Sequence, residues 1–141
     1  ATVGARHPSF ATCVNRLGAL YVELDRFADA EECFKWALSV REEKLGPSHS
    51  RTLQTLKHML NMFELQERWD DALAVADRGL RILREVPPPA NASERSRVKH
   101  REGLVGMLLR VGSVQRCAGD KALHDLQAAR PDEAVAHYAA A

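Results

Sequence analysis

The chain has 141 residues, a length that suits one domain with a hydrophobic core. Apolar residues make up 45% of it and charged residues 28%, which is ordinary for a soluble globular protein. Lysine and arginine number 20 against 19 acidic residues, so no overall field favours nucleic acid or a membrane surface as a partner. No apolar stretch reaches the roughly 20 residues that a membrane-spanning helix needs, and no signal peptide opens the sequence.

The cysteines predict a reducing environment. Cys13, Cys33 and Cys117 are odd in number and too widely spaced for a metal knuckle or a redox CxxC pair. We therefore expect free thiols in an intracellular protein. The chain begins at Ala1 without a methionine, and the simplest expectation is a fragment of a longer polypeptide.

An internal repeat is the strongest pattern in the chain. Residues 7–40 superimpose on residues 49–82 at a fixed offset of 42. The matched pairs are His7 with His49, Leu17 with Met59, Leu20 with Met62, Tyr21 with Phe63, Phe27 with Trp69, Ala30 with Ala72, Leu38 with Leu80 and Val40 with Ile82. A period of about 20 to 50 residues is typical of a solenoid, whose units bury their apolar faces by stacking on one another.

The first unit is predicted to be a pair of helices. Residues 9–24 carry apolar side chains at steps of three and four, which form one stripe of a helix. This stripe is Cys13, Val14, Leu17, Leu20, Tyr21 and Leu24. Residues 27–44 form a second helix, which Gly46 and Pro47 end. Its stripe is Phe27, Ala30, Cys33, Phe34, Ala37 and Leu38.

The second unit repeats this organisation. The stripe of its first helix is Leu53, Leu56, Met59, Leu60 and Phe63. The stripe of its second helix is Trp69, Ala72, Leu73, Ala76, Leu80 and Leu83. Residues 87–89 are three prolines, which stop the second helix and form a short, stiff spacer.

The rest of the chain predicts a weaker third unit. A helix is expected over about residues 92–116, with Asn91 as its cap. Its stripe is Leu104, Met107, Leu108 and Val111. Gly119 and Asp120 predict a turn, after which Ala122, Leu126 and Ala129 echo the spacing of the second helix of the first unit. Residues 131–141 predict a last short helix, either a cap or the start of a further repeat.

The first unit resembles the tetratricopeptide repeat, whose pattern is W-x2-L-G-x2-Y followed by A-x3-F. The matching residues are Val14, in place of the tryptophan, Leu17, Gly18, Tyr21, Ala30, Phe34 and Ala37. The 42-residue period and the stretches 14–21 and 45–49 are similar to the kinesin light chain type of repeat, which reads L-N-N-L-A-x-L-Y and L-G-x-x-H-P. The resemblance is specific over residues 7–83 and weak over residues 91–141.

This resemblance implies an all-α fold, a right-handed α-solenoid of antiparallel helix pairs. It divides the chain into two well-matched units over residues 1–90, followed by a degenerate third unit and a capping helix over residues 91–141. It implies a non-catalytic adaptor or scaffold that binds peptide motifs in its concave groove, in the cytoplasm and in cytoskeletal or motor-linked assemblies. Two alternatives stay open. One is a structural segment docked permanently in a large cytoskeletal, motor or ciliary complex, and the other is the regulatory arm of an enzyme whose catalytic domain lies elsewhere.

In this type of solenoid the first helix of each pair lines the inner surface. The outward polar positions of the two first helices then form a mildly basic groove. They are Asn15, Arg16, Lys57, His58 and Asn61. Asparagine offers a peptide backbone both donors and acceptors, and the cations favour an acidic ligand. The alternative is a solvated helix face. Trp36 is a candidate contact on the outer face.

No motif predicts catalysis. The recurring His7 and His49 suggest a structural role at the helix entries, and the histidines lack the spacing of a metal site. No phosphate loop or nucleophile elbow occurs, so no catalytic residue, metal or cofactor is expected. The basic run at residues 95–101 has no interleaved aromatic residues, which favours a solvated helix start over nucleic-acid binding. The expected partner is a protein or peptide.

Overall fold

The computed structural model describes residues 6–129, with side chains described as far as Lys121. Five helices follow one another along this part of the chain. They are α1 (Pro8–Glu23), α2 (Phe27–Leu45), α3 (Ser50–Leu65), α4 (Trp69–Glu85) and α5 (Glu94–Ala129). Between residues 6 and 129 there is no β-strand, and each helix packs on its neighbours in the chain. The predicted all-α solenoid is confirmed.

The first helices of the two units also begin with the same kind of N-terminal cap. The Nδ1 atom of His7 accepts the backbone N–H of Ser9 at 3.2 Å, which caps α1. His49 caps α3 in the same way, through Arg51 at 3.2 Å. The predicted structural role of these two histidines is therefore confirmed, because each satisfies a backbone donor that the helix itself leaves unpaired.

The link between the two helices of a unit also repeats. Asp25 follows α1 with a φ of 57°, and Glu67 follows α3 with a φ of 55°, one repeat later. Gly46 follows α2 with a φ of 93°, in the region that glycine adopts without strain. These reversals turn each helix back along the previous one, so successive helices run antiparallel.

Small residues allow the helices to approach closely. Ala30, Ala72 and Ala76 are fully buried in the main core. A Cβ atom added at Gly18 would lie 2.8 Å from Cε1 of Phe34, so the α1–α2 contact has no room for a side chain there. Hydrophobic burial at these contacts is the main source of stability, since the ion pairs between helices are partly exposed and each contributes little.

The exposed face of α1 differs from the prediction. Leu17, Leu20 and Leu24 are 42%, 55% and 66% exposed, and Cys13 is exposed as well. The buried positions of α1 are Ala11, Asn15 and Gly18. The reason is that only α2 packs closely on α1, whereas α3 lies between α2 and α4. Periodicity identifies an apolar face but does not say what covers it.

The third unit also differs from the prediction. α5 continues through Gly119 and Asp120 without the expected turn, and it begins after a Ser93 cap rather than an Asn91 cap. A helical glycine costs about 1 kcal/mol relative to alanine, which weakens a helix without ending it. Leu108, expected on the buried stripe, is 46% exposed. The expected helix at residues 131–141 lies outside the described residues.

Two glycine substitutions should differ in their effect on stability. Gly18→Ala places a methyl group against the buried Phe34 ring and the Cβ atom of Cys33, which should cost about 1–3 kcal/mol. Gly79→Ala brings the added methyl closest to the terminal Cε atom of Met107, at 2.8 Å, and the end of this flexible side chain can move aside, so the change should be nearly neutral. Urea unfolding midpoints measure both effects.

Gly106→Ala serves as the reference for helix propensity alone, because nothing lies within 4 Å of the added methyl. It should stabilise the protein by up to about 1 kcal/mol. A Gly18→Ala variant as stable as Gly106→Ala would contradict the close α1–α2 contact.

Candidate functional site

A buried polar layer joins α1, α2 and α3, and Arg41 lies at its centre. The side chain of Arg41 is buried, with the residue 1% exposed. Its guanidinium donates to the Arg51 carbonyl at 2.6 Å, to Thr55 Oγ1 at 2.7 Å and to Thr12 Oγ1 at 3.3 Å. Among the described side chains no carboxylate pairs with it. Burial, and then the charge of Arg51, lower the pKa of Arg41. Neutral acceptors alone therefore solvate this cation.

Asn15 belongs to the same layer. It was expected to line an open groove, but it is 3% exposed, and its Nδ2 atom lies 3.0 Å from Nδ1 of His58. Its Oδ1 atom is buried without a partner among the described residues. Burial, and then the charge of Arg41, lower the pKa of His58. His58 is therefore neutral at pH 7, and Asn15 positions its ring.

The other predicted groove residues remain on the surface. Arg16 on α1 and both Lys57 and Asn61 on α3 are exposed. Within residues 6–121, the ion pairs do not include Arg16 or Lys57. The five predicted residues thus fall into two sets: an internal pair of Asn15 and His58, and three solvent-facing side chains.

A cavity of about 370 Å³ lies between α3, the end of α4 and the start of α5. Leu53, Leu83 and Met107 contribute apolar surface to its lining. Lys57 contributes a cation from α3, and Lys99 contributes a second cation from α5. His100 and four polar residues, Ser48, Ser50, Gln54 and Ser96, also line it, and no aspartate or glutamate does. A basic rim around an apolar floor is an arrangement that accepts an acidic chain with an apolar side chain.

Sequence reasoning missed Lys99 and His100 as site residues. Both belong to the basic run at residues 95–101, which was interpreted as a solvated helix start. The run did signal a local positive charge, but placing it beside Lys57 requires the packing of α5 on α4. That packing is specified by contacts such as Gly103 with Leu83 and Gly79 with Met107, which the charge pattern does not reveal.

Trp36 is half-buried between α1 and α2. Its ring meets the Phe10 ring edge-on, with centroids 5.5 Å apart, and it packs on the small core cluster of Ala11, Ala37 and Val40. An aromatic pair of this geometry contributes to packing. Trp36 therefore has a structural contact as well as an accessible edge.

The described residues limit the kinds of site that this part of the chain can form. They contain no group of three or more histidine, cysteine or acidic side chains placed to hold a metal ion. Their helices include none long and apolar enough to cross a membrane.

The comparisons with known proteins confirm the resemblance inferred from the repeat. The tetratricopeptide repeat family model matches residues 6–85. The chain is similar to Protein KINESIN LIGHT CHAIN-RELATED 3 of Arabidopsis thaliana, with 27% identity over 82 residues. The match covers 58% of this chain and 13% of that protein, so the chain spans a small part of the relative's length.

The burial of His58 predicts a pH dependence of stability. Its pKa lies below the ordinary value of 6.5 in the folded state, so the unfolded chain binds the proton more readily. The stability contributed by neutral His58 should be fully present above the ordinary pKa and should be lost as the pH falls through the folded pKa. Urea unfolding midpoints measured from about pH 7.5 to pH 5 should decrease over this window. His58→Gln should flatten that decrease, and an unchanged slope in the variant would contradict the assignment.

Proposed function

Because the chain belongs to the tetratricopeptide repeat family and is a repeat module for protein interaction, we propose that it is a non-catalytic adaptor or scaffold that captures an acidic peptide segment. The proposed binding site is the cavity between α3, α4 and α5. The proposed setting is the cytoplasm, with a cytoskeletal assembly as the larger context. The name of the kinesin light chain-related protein supports that context.

The observation that carries this proposal is the charge of the cavity lining. Lys57 and Lys99 come from different units and line the same cavity, which contains no carboxylate. Like charges on one rim repel each other unless an anion lies between them. An extended peptide could place a carboxylate between these cations and an apolar side chain against Leu83 and Met107.

The remaining predicted residues extend this site along the inner helices. Asn61 follows Lys57 by one turn of α3 and is exposed, so it can donate to or accept from a peptide backbone. Arg16 provides a further exposed cation on α1. The buried layer of Arg41, Asn15 and His58 lies beneath these exposed residues. It holds α3 against α1 and α2 and so positions them.

The division of the chain is part of the same proposal. Residues 1–90 form two well-matched units, and the segment that begins at residue 91 supplies one wall of the site through α5. A permanently docked structural segment is the second candidate function. The exposed apolar face of α1 favours it, since a peptide-binding adaptor does not require that face.

The proposal predicts that two lysines on separate helices contribute to one binding event. The probe is a short fluorescein-labelled peptide of aspartate and glutamate around a central leucine, titrated with the full chain and followed by fluorescence anisotropy. Lys57→Glu and Lys99→Glu should each weaken binding by about tenfold, because each replaces an attraction with a repulsion. The melting temperature should hardly change, since both side chains are exposed.

Arg81→Glu is the charge-matched control, because Arg81 is exposed on α4 and does not line the cavity. It should leave binding nearly unchanged. Equal weakening by all three variants would show that the peptide responds to net charge alone, and it would contradict a defined site. A second peptide, with lysine in place of each acidic residue, should not bind.

A further inference from the structure

The cavity between α3, α4 and α5 is lined by polar groups that can all donate hydrogen bonds. Lys57 and Lys99 contribute two ammonium groups, and His100 contributes an imidazole. The other polar side chains of the lining are uncharged, and they are Ser48, Ser50, Gln54 and Ser96. Within residues 6–121, none of these seven side chains takes part in a hydrogen bond. A ligand can therefore accept from these donors without breaking a bond between the described side chains.

Positive charge is paired farther along α3 and α5 but not at the cavity. Arg110 of α5 pairs with Glu64 of α3. At the cavity, by contrast, α3 contributes Lys57 and α5 contributes Lys99, and the ion pairs within residues 6–121 include neither. Both helices pack closely on α4, so the two lysines lie on separate walls of one cavity. One anion from outside this part of the chain would compensate both charges.

The charge of the lining matches a phosphate monoester better than it matches a carboxylate. A phosphoserine carries a charge of about −1.5 to −2 at pH 7, and its three terminal oxygens are strong acceptors. A carboxylate carries a single negative charge, so it would compensate only one of the two lysines. Lysine ammonium groups are common phosphate ligands. The hydroxyls of Ser50 and Ser96 can donate to the remaining phosphate oxygens.

The rest of the lining favours a peptide as the carrier of that phosphate. Leu83 and Met107 are buried and form an apolar floor, which fits an apolar side chain next to a phosphorylated residue. The lining contains no phenylalanine, tyrosine or tryptophan, so a nucleotide base would have no ring on which to stack. A lipid headgroup or free phosphate would leave the apolar floor uncovered, because neither has an apolar side chain beside the phosphate.

We propose that the cavity recognises a phosphorylated serine or threonine in a peptide segment, with the phosphate held between Lys57 and Lys99. This inference rests on the proposed function, since it specifies the anion that the acidic segment places in the cavity. The residue next to the phosphate lays an apolar side chain against Leu83 and Met107. Capture of the partner therefore depends on whether a protein kinase has phosphorylated it.

Three labelled peptides test the choice of anion, with the full chain and fluorescence anisotropy. The first is the acidic peptide with a central leucine that tests the proposed function. The second has phosphoserine in place of the acidic residue next to that leucine. The third keeps the acidic residue and gains one aspartate at its far end, so its net charge matches that of the second. The phosphoserine peptide should bind at least about tenfold more tightly than either of the others.

Removing one lysine charge should remove most of this preference. Lys57→Gln and Lys99→Gln should each reduce the advantage of phosphoserine to about twofold, because a single cation gains less from the second negative charge. Arg81→Gln is the matched control, since Arg81 is exposed on α4 and does not line the cavity. It should leave the advantage unchanged. The three variants should melt at the temperature of the unmodified chain, because the three side chains are exposed.

The peptides separate the failure of this inference from the failure of the proposed function. Equal binding of the phosphoserine peptide and the charge-matched peptide would overturn the phosphate inference and leave the acidic-peptide function in place. Binding of none of the three peptides would overturn both. A phosphoserine advantage that persists in both lysine variants would place the phosphate elsewhere, and it would overturn the inference.

A last pair of measurements identifies the carrier of the phosphate. Glycine in place of the leucine beside phosphoserine should weaken binding by at least about fivefold, because the apolar floor then loses its contact. An unchanged affinity would overturn a peptide as the carrier. Phosphatidylcholine vesicles with and without phosphatidylinositol phosphate, sedimented with the chain, should retain equally little of it. Stronger retention by the phosphorylated lipid, lost in Lys57→Gln, would assign the cavity to a lipid headgroup and overturn the proposal.

Discussion

The structure depends on one constraint: each helix has an apolar face that a single neighbour cannot cover. α3 meets this constraint fully, because α2 and α4 pack on its two sides, and seven of its residues are buried. α1 has the same sequence pattern but close packing from α2 alone, and only three of its residues are buried. Burial thus follows from position in the stack as much as from the sequence of the helix. This is the expected behaviour of a repeat protein, in which stability is the sum of local and nearest-neighbour terms.

The two described inter-unit contacts meet this constraint with different chemistry. Between α2 and α3 the central residue is Arg41, whose two terminal nitrogens donate to hydroxyl and carbonyl oxygens, while its Nε atom is buried without a partner among the described residues. Between α4 and α5 the equivalent residue is Leu83, which needs no hydrogen bond. Burying a cation without a counter-ion costs more free energy than burying leucine. The hydrogen bonds of the cation are directional, however, so they hold its neighbours in one arrangement. The first junction therefore depends on directed hydrogen bonds, while the second is apolar and has the cavity at its open end.

Much of the fold could be predicted from the sequence, and the failures share one cause. The offset of 42 identified the paired units, and the recurrence of His7 and His49 identified their caps. The exposure of Leu17, the burial of Asn15 and the continuity of α5 through Gly119 could not be predicted, because each depends on which helix lies opposite. The candidate site was predictable only in part for the same reason. Lys57 was a predicted site residue from its place on α3, whereas the proposed role of Lys99 depends on the packing of α5.

The distribution of carboxylates explains why the cavity is basic in a chain that is almost neutral. Glu31 pairs with Arg68, Glu42 with Arg78, and Glu64 with Arg110, so each of these acids links different helices away from the cavity. Hydrogen bonds from Lys35 and Arg68 lower the pKa of Glu31, which keeps that carboxylate charged to more acidic pH. Partly exposed pairs of this kind contribute little stability individually. Their larger effect is on where the negative charge lies. The paired carboxylates lie where helices meet, away from the cavity, so Lys57 and Lys99 line a cavity without a carboxylate. An acidic ligand would supply the charge that the solenoid places elsewhere.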